Sequence, residues 1–588
     1  YTPGDTARRN CWWTLAKSAP DQYRQRVTFA LSEIFVTSSN DSTVDDRHYG
    51  HAHYYDMLKN GAFGSYRDLL ENVSTHPIMG QYLSHLRNSK AILDGTGNVI
   101  VSPDENYARE VMQLFSIGLV QLHEDGSLKI NADGLPAATY DQDDISAMSR
   151  VFTGWSFSER NDPSTSTTIA ENTNFSYGSG SRYYQAQWSA RMKNFSDYHD
   201  TDEKIIPTLG LTIPAGGDGE SDLDATMNHL SNHANTAPFI IRRLIQRLVT
   251  SNPSAGYIYR VTQVWKSSNG DLGLVMKAIL LDYEARSLDA TSPISYGKKK
   301  EPIIHKLATL RALGAKSSLP LADLDPADTS IADLSAHSYA PSKLALFTAE
   351  LAKFPVGTSR MRMSDTDGKI GQTPLKSPTV FNWFLPDYSV VGNLANAGLR
   401  VPEFQISTEI SVITNVNLSY QMIYYRSGLS GSSLRNQKAK DTNGAPHPIY
   451  NPYSYGDDDD HQMIDFSGTS TMRQAYLAIM DTNVDGKVSS ADSTFDNRTS
   501  IVAACAALVD HLDLLLASGR LKSEYSSGYI PDIVRANNPR DIIINTVANY
   551  STYYDDNDND EDQESVIKGR LKLAAYLVNT CPQTIIQR

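Results

Sequence analysis

The stretch Ser102-Pro-Asp-Glu-Asn-Tyr-Ala-Arg-Glu-Val-Met-Gln-Leu-Phe-Ser-Ile-Gly118 decides the fold class. Tyr107, Val111, Leu114 and Phe115 recur at the spacing of one helical face. Ser102 and Glu105 make an S-x-x-E capping box, Pro103 stands at the first helical position, and Gly118 lies just past the end. The pattern predicts a buried amphipathic helix from Pro103 to Ile117. Asn106, Glu110 and Gln113 form a polar stripe opposite its apolar face.

The same period recurs outward from this helix. Asp21 to Ser38 carries Val27, Phe29, Ala30, Ile34 and Phe35 on one side, with Arg24 and Arg26 on the other. A second capped helix opens at Thr139, with Gln142 three residues on, and buries Ile145, Met148, Val151 and Phe152. Further helices are predicted over 222–233, 238–250, 255–266, 272–281, 301–313, 472–480, 499–516, 538–550 and 565–579. Alternating β patterns are few. Stretches rich in Gly, Ser and Asn at 159–193, 428–465 and 553–564 read as surface insertions, and the acidic runs 457–460 and 555–562 as solvated loops. The expected fold is mainly α. It comprises a large helical domain over 1–427, a polar insertion with a single EF-hand-like calcium loop over 428–498, and C-terminal helices over 499–588 that pack on the main domain.

Composition narrows the function classes. A formal net charge of −14 opposes a general affinity for nucleic acid or anionic membrane. The longest uncharged apolar run of the later half, Ile501 to Val509, is far shorter than the ~20 residues of a spanning helix. The chain begins at Tyr1 without an initiator Met or a signal-like segment, so a trimmed natural start is expected. Cys11, Cys505 and Cys581 have no metal-ligand spacing and allow one bridge at most. Tyr outnumbers Phe, 32 to 16, which favours half-exposed aromatic contacts.

The twelve residues Asp481 to Asp492 place oxygen donors at the positions of a calcium loop. Asp481, Asn483 and Asp485 occupy positions 1, 3 and 5, and Gly486 permits the turn at position 6. The Lys487 carbonyl, Ser489 and Asp492 fall at positions 7, 9 and 12. Hard oxygen ligands select Ca²⁺ over a soft-ligand metal. Asp instead of Glu at position 12 fits a structural clip better than a helix-opening switch. The alternative is a polar surface turn.

Other constellations stay open between chemistry and packing. Glu110 could act as a general acid or base if a cleft covered it, or tie its helix to neighbours together with Arg109. His48, His51 and His53, near Asp45, Asp46 and Asp56, could hold zinc or form a satisfied histidine cluster. His76 and His199 are single histidines with no partner evident in sequence. Arg242, Arg243 and Arg247 could bind a sulfated or carboxylated glycan or pair internally. A Gly-rich phosphate loop, a G-x-S-x-G elbow and a Cys–His nucleophile signature are not found.

The Ser102–Gly118 block, with Tyr140-Asp-Gln-Asp-Asp-Ile and Phe152-Thr-Gly-Trp155, strongly resembles a bacterial family known only as domain of unknown function eighteen hundred. Further landmarks are Asp21 to Ser38, His76-Pro77, His199-Asp200, Leu209-Gly210, Thr236 to Val249, Asn252-Pro253, Gly371-Gln372, Val380 to Tyr388, Val401-Pro-Glu-Phe404 and Ile585-Ile-Gln-Arg588. The resemblance implies a mostly helical, usually exported bacterial protein, and a sulfatase-like protein as a conceivable partner. The leading expectation is thus an exported, calcium-binding protein of cell-surface or extracellular assembly, acting through self-assembly or a protein partner. The alternative is a hydrolase-like enzyme on an extracellular polysaccharide or a sulfated or phosphorylated compound, using Glu110, His199 and His76.

Overall fold

The computed structural model describes residues 5–161, 169–178, 186–287, 295–317, 370–424, 462–464, 466, 470–495, 497–526, 538–550 and 560–587. About 54% of the described residues are helical. Sheet is confined, among the described residues, to two-stranded antiparallel pairs. The stretch 428–465 with its acidic run 457–460 falls almost wholly outside the described residues, as do 555–559 of the acidic run 555–562, whereas 560–562 open the helix Asp560–Thr580 and are not loop. The three cysteines are free thiols, with Cys505 and Cys581 buried.

Two hydrophobic cores organise the molecule. The first is built by helices Tyr66–Ser74, Asn106–Gln113, Gln142–Val151, Gly219–Asn232, Thr236–Leu248, Ala255–Ser268 and Leu272–Leu281. The second gathers the N-terminal helix Asp5–Ser18 with Pro302–Ala312, Glu409–Tyr424, Thr471–Met480, Arg498–Ala517, Pro539–Ala548 and Asp560–Thr580. Two helices serve both cores. Gln22–Ser32 sends Val27 and Leu31 into the first and Phe29 into the second, and His48–Gly61 divides Tyr54 and Leu58 from Tyr55 in the same way. The last strand, Ile586–Gln587, returns to pair with Lys298–Lys299.

Arg498–Ala517 is long and apolar enough to cross a membrane by length and composition alone. It packs against Thr471–Met480, Pro539–Ala548 and Asp560–Thr580. It also carries buried Asp513, whose carboxylate accepts the Leu521 and Lys522 backbone N–H groups at 2.9 and 2.8 Å.

The helix expected from Pro103 is shorter, running from Asn106 to Gln113. Its start is displaced by tertiary bonds. Residues 99–101 belong to a hairpin strand, and the Asn88 side chain clamps the Asp104 N–H at 2.8 Å and its carbonyl at 3.1 Å, so the chain enters the helix late. Asp104 then caps the Asn106 N–H at 2.8 Å. The Glu105 carboxylate accepts from Gln142 and Ser146 instead of closing a box with Ser102. The second capping box forms, but around Asp141 and Asp144, because the Thr139 hydroxyl is committed to the Gly118 carbonyl. Gly118 has φ +72°, and a Cβ there would strike the Phe239 ring. The expected apolar face is correct for Tyr107, Val111 and Phe115, which are fully buried, whereas Leu114 is half-buried. Phe115→Ala should therefore cost ~3–5 kcal/mol in denaturant unfolding, and Leu114→Ala less than ~2 kcal/mol.

Candidate functional site

Asp481–Asp492 lies between helices Thr471–Met480 and Arg498–Ala517, which pack on one another. Positive φ at Val484 (62°) and Gly486 (85°) winds the loop. The Asp481 carboxylate accepts the Gly486 N–H at 2.7 Å and the Asp485 N–H at 3.2 Å. Asp492 is buried and accepts from Thr482, Asn483 and Ser489 N–H at 2.6, 3.2 and 2.9 Å. Burial opposes its charge, and these donors more than offset that, holding its carboxyl below the usual range. Among the described residues no three His, Cys, Asp or Glu side chains stand close enough to hold a metal ion. The carboxylates keep spare lone pairs, so the donor chemistry of Asp481, Asn483, Asp485, the Lys487 carbonyl, Ser489 and Asp492 fits a hard cation.

The histidine cluster is only partly satisfied, since Nδ1 of His48 and Nδ1 of His51 are buried without a hydrogen-bond partner. His76 caps helix Pro77–Tyr82 by accepting the Ile78 N–H on Nδ1 at 3.2 Å, which leaves the proton on Nε2. That Nε2 donates to His53 Nδ1 at 3.0 Å. Burial first, then His53 and His51, push the His76 pKa well below the usual value. His51 is fully buried with Nε2 on the Val44 carbonyl at 3.1 Å, and burial lowers it to about 3. Burial and the Arg8 charge lower His48 as well. The His51-x-His53 pair therefore turns to separate partners and makes no chelate.

His199 is fully buried. Its Nδ1 reaches the Thr153 carbonyl at 2.9 Å and its Nε2 the Asp222 carboxylate at 3.1 Å. The buried Lys204 ammonium lies 2.6 Å from the same carboxylate, and Arg150 forks onto Asp200 with two bonds of 2.8 Å. Burial opposes the charge of Asp222, and the His199 and Lys204 bonds outweigh it and keep its carboxyl below the usual range. Glu110 is buried with Oε2 unpartnered, and burial raises its carboxyl to about 6 against the pull of Arg109. Neither groove described below is lined by Glu110, His76 or His199.

A larger concentration of buried charge lies between the two cores, at residues that sequence spacing did not single out as a set. Glu33 ends the shared helix Gln22–Ser32, and Glu301 precedes Pro302 at the start of its helix. Both are buried, and Glu33 Oε2 and Glu301 Oε1 have no conventional donor. Their other oxygens accept from Asn382 Nδ2 at 3.1 Å and Gln372 Nε2 at 2.7 Å. Arg247 stands 3.8 Å from Glu33 and stacks over Phe384. The buried Lys298 ammonium pairs with buried Glu403 at 3.0 Å and donates to the Gln246 and Arg247 carbonyls at 2.9 and 2.7 Å. Arg26 also donates to the Arg247 carbonyl, and Gln587 to those of Leu248 and Val249, so cations and amides finish the exposed end of helix Thr236–Leu248. Arg242 instead pairs with Asp387 at 3.3 Å, and Arg243 lies over Phe239, so the arginine helix is partnered within the chain. A crevice of about 10 Å³, room for about one water, reaches Glu33 past Thr37, Thr373 and Asn382.

Burial and then the Glu301 charge raise Glu33, while Lys298, Arg26, the Glu33 hydrogen bond and Arg247 lower Glu301 against its own burial. Burial and the neighbouring charges thus favour the proton on Glu33 and the negative charge on Glu301. The signal in sequence was a lone Glu beside Ile34 and Phe35 and an Arg inside the apolar helix 236–248, because charge is rarely buried unpaired. Glu33 holds its proton more tightly folded than unfolded. Its contribution to stability is therefore fully present below the unfolded value of 4.5 and is lost as pH rises through the raised folded value. Glu301 behaves oppositely, its contribution being present above 4.5 and lost as pH falls through the lowered folded value. Unfolding of the wild type should show stability falling from about pH 5 to 9, and Glu33→Gln should flatten that slope. Glu301→Gln should cost about 3–5 kcal/mol at neutral pH, since buried cations lose a counter-charge. An unchanged slope in Glu33→Gln contradicts the assignment.

No curated protein and no solved structure matches the chain at a significant level. The segments that meet at this seam are the landmarks of the sequence resemblance: 21–38, 236–249, 371–372, 380–388, 401–404 and the closing strand. The family described as "Protein of unknown function (DUF1800)" matches residues 5–538, and the chain belongs to it.

Proposed function

We propose that this protein is an exported, calcium-clipped component of a cell-surface or extracellular assembly, which docks a second copy or a partner protein through apolar surface. The observation that carries the reading is the hairpin of Ile92–Leu93 and Val99–Val101. Ile92, Leu93, Val99, Ile100 and Val101 are all 50–63% exposed. Its turn is rigid, with Asp94 accepting the N–H groups of Thr96 and Asn98 at 2.8 Å each. Exposed apolar side chains on both faces of a fixed ribbon, with unpaired strand edges, are costly in water and suit docking by strand addition. A second ribbon, later in the chain, exposes Leu119, Leu128, Ile130 and Leu135.

Calcium at Asp481–Asp492 supports an extracytoplasmic setting, because a loop with Asp at position 12 suits the ~10⁻⁴–10⁻³ M affinities of extracellular modules. The loop would tie Thr471–Met480 to Arg498–Ala517 within the second core. Calorimetry on calcium-stripped protein should show one weak site, lost in Asp481→Ala with the fold intact. Light scattering should show particles larger than the monomer, reduced to monomer in the double variant Val99→Lys, Ile100→Lys. A wild type that is monomeric at all concentrations and binds no Ca²⁺ contradicts the proposal.

One observation favours an enzyme as a second reading: the orphan oxygen and raised carboxyl of Glu110 beside Tyr140, whose hydroxyl is also buried without a partner. A carboxyl near 6 is suited to general acid catalysis. Hydrolysis of a polysaccharide or an aryl sulfate that disappears in Glu110→Gln would decide for it.

A further inference from the structure

A groove of about 440 Å³, the size of a ligand cleft, runs between the loops 173–175 and 193–198. Tyr198 stacks flat on Phe175, with ring centroids 4.0 Å apart and planes 12° from parallel. Phe175 is buried and Tyr198 is 39% exposed, so one face of the tyrosine is covered and the other opens to solvent. Phe195 meets Phe175 edge-on at 5.8 Å. Around this aromatic wall stand Asn174, Ser196 and Asp197, which together offer amide, hydroxyl and carboxylate groups at the surface, while the Asn194 amide is committed to the Thr153 carbonyl at 3.0 Å.

The wall is held from beneath. Phe195 N–H donates to the Gly154 carbonyl at 2.7 Å, and Lys90 N–H to the Tyr198 carbonyl at 2.8 Å. Gly154 has φ +79°, and a Cβ there would press on the His199 nitrogen and the Phe195 carbonyl at 2.9 Å each. The next residues, His199 and Asp200, are anchored by Thr153, Asp222, Lys204 and Arg150. The buried His199 network thus fixes the position of a surface aromatic, which reduces the ordering cost of binding.

We infer that this groove binds a neutral, hydroxyl-rich sugar chain, with a pyranose ring lying on the open face of Tyr198 and its hydroxyls bonded by Asn174, Ser196 and Asp197. An aromatic face takes up the apolar CH face of a sugar, while the polar rim replaces water at its hydroxyls. Charge separates neutral from sulfated chains. The groove's cation, Lys193, is already paired with Glu171 at 2.7 Å and lies over Phe195, while Asp197 is an exposed carboxylate that repels a polyanion. This inference is independent of the hairpin and of calcium.

Affinity electrophoresis and calorimetry of the full chain against hydroxyethyl cellulose, mannan, pullulan and dextran sulfate test it. At least one neutral polymer should bind and dextran sulfate should not. Tyr198→Ala should weaken binding by about tenfold or more, and Tyr198→Phe should retain it. Ser196→Arg, an exposed change away from the cores, should block the groove even if Tyr198→Ala proves unstable. Binding unaffected by either Tyr198→Ala or Ser196→Arg, preference for dextran sulfate, or no neutral polymer bound overturns the inference. The Val99→Lys, Ile100→Lys variant should bind sugar as the wild type does, so failure of the assembly proposal and failure of this one are distinguishable.

Discussion

Burial of Glu33 against Glu301 is the constraint on which the rest of the structure depends. Two carboxyls removed from water cannot both be charged at short range, so the pair must hold a proton, and the carboxylate that remains must be compensated. Arg26, Arg247 and Lys298 supply that compensation, and each comes from a different part of the chain. The helices that carry these groups are consequently fixed relative to one another. Apolar contact alone would let the two cores slide, whereas a buried network is satisfied in one geometry. A protein joined by such a seam keeps one arrangement of its surface, which a docking hairpin and a rigid groove both require.

The same logic applies on a smaller scale beneath the groove. His199, Asp222, Lys204 and Asp200 form a buried set of donors and acceptors that half-buried Arg150 completes. None of them faces the groove, yet Tyr198 is the residue next to His199, so the network sets where that ring stands. The same network places the landmark residues Phe152 to Trp155 and His199-Asp200 beneath the groove. The partners of His199 and His76 lie far from them in sequence, so no local pattern announces them.

Helical periodicity made the fold class legible, and Leu272–Leu281 begins and ends where its pattern does. Starts were less legible because two capping patterns overlapped. Thr139 with Gln142 and Asp141 with Asp144 both fit, and only the tertiary bond from Thr139 to Gly118 selects the second. Ser102 and Glu105 were misread for the same reason, since a hairpin strand and the Asn88 clamp hold the chain extended past Ser102. The seam was the least legible part: Glu33 and Glu301 are far apart in sequence, and no local period announces a shared proton. Arg247, expected to pair internally or bind glycans, does stand beside an acid, but that acid is on another helix. The oxygen-donor spacing of Asp481 to Asp492 was legible because those donors lie within twelve consecutive residues.

The central claim is that one proton resides between Glu33 and Glu301 in the folded protein at neutral pH. Difference infrared spectroscopy of the native chain against Glu33→Gln, in the carboxylic acid stretching region, measures this directly. A protonated carboxyl band present in the wild type at pH 7, absent in Glu33→Gln and bleached only on alkaline titration is the predicted result. Spectra that show no carboxylic acid band at pH 7, with both glutamates as carboxylates, would contradict the account.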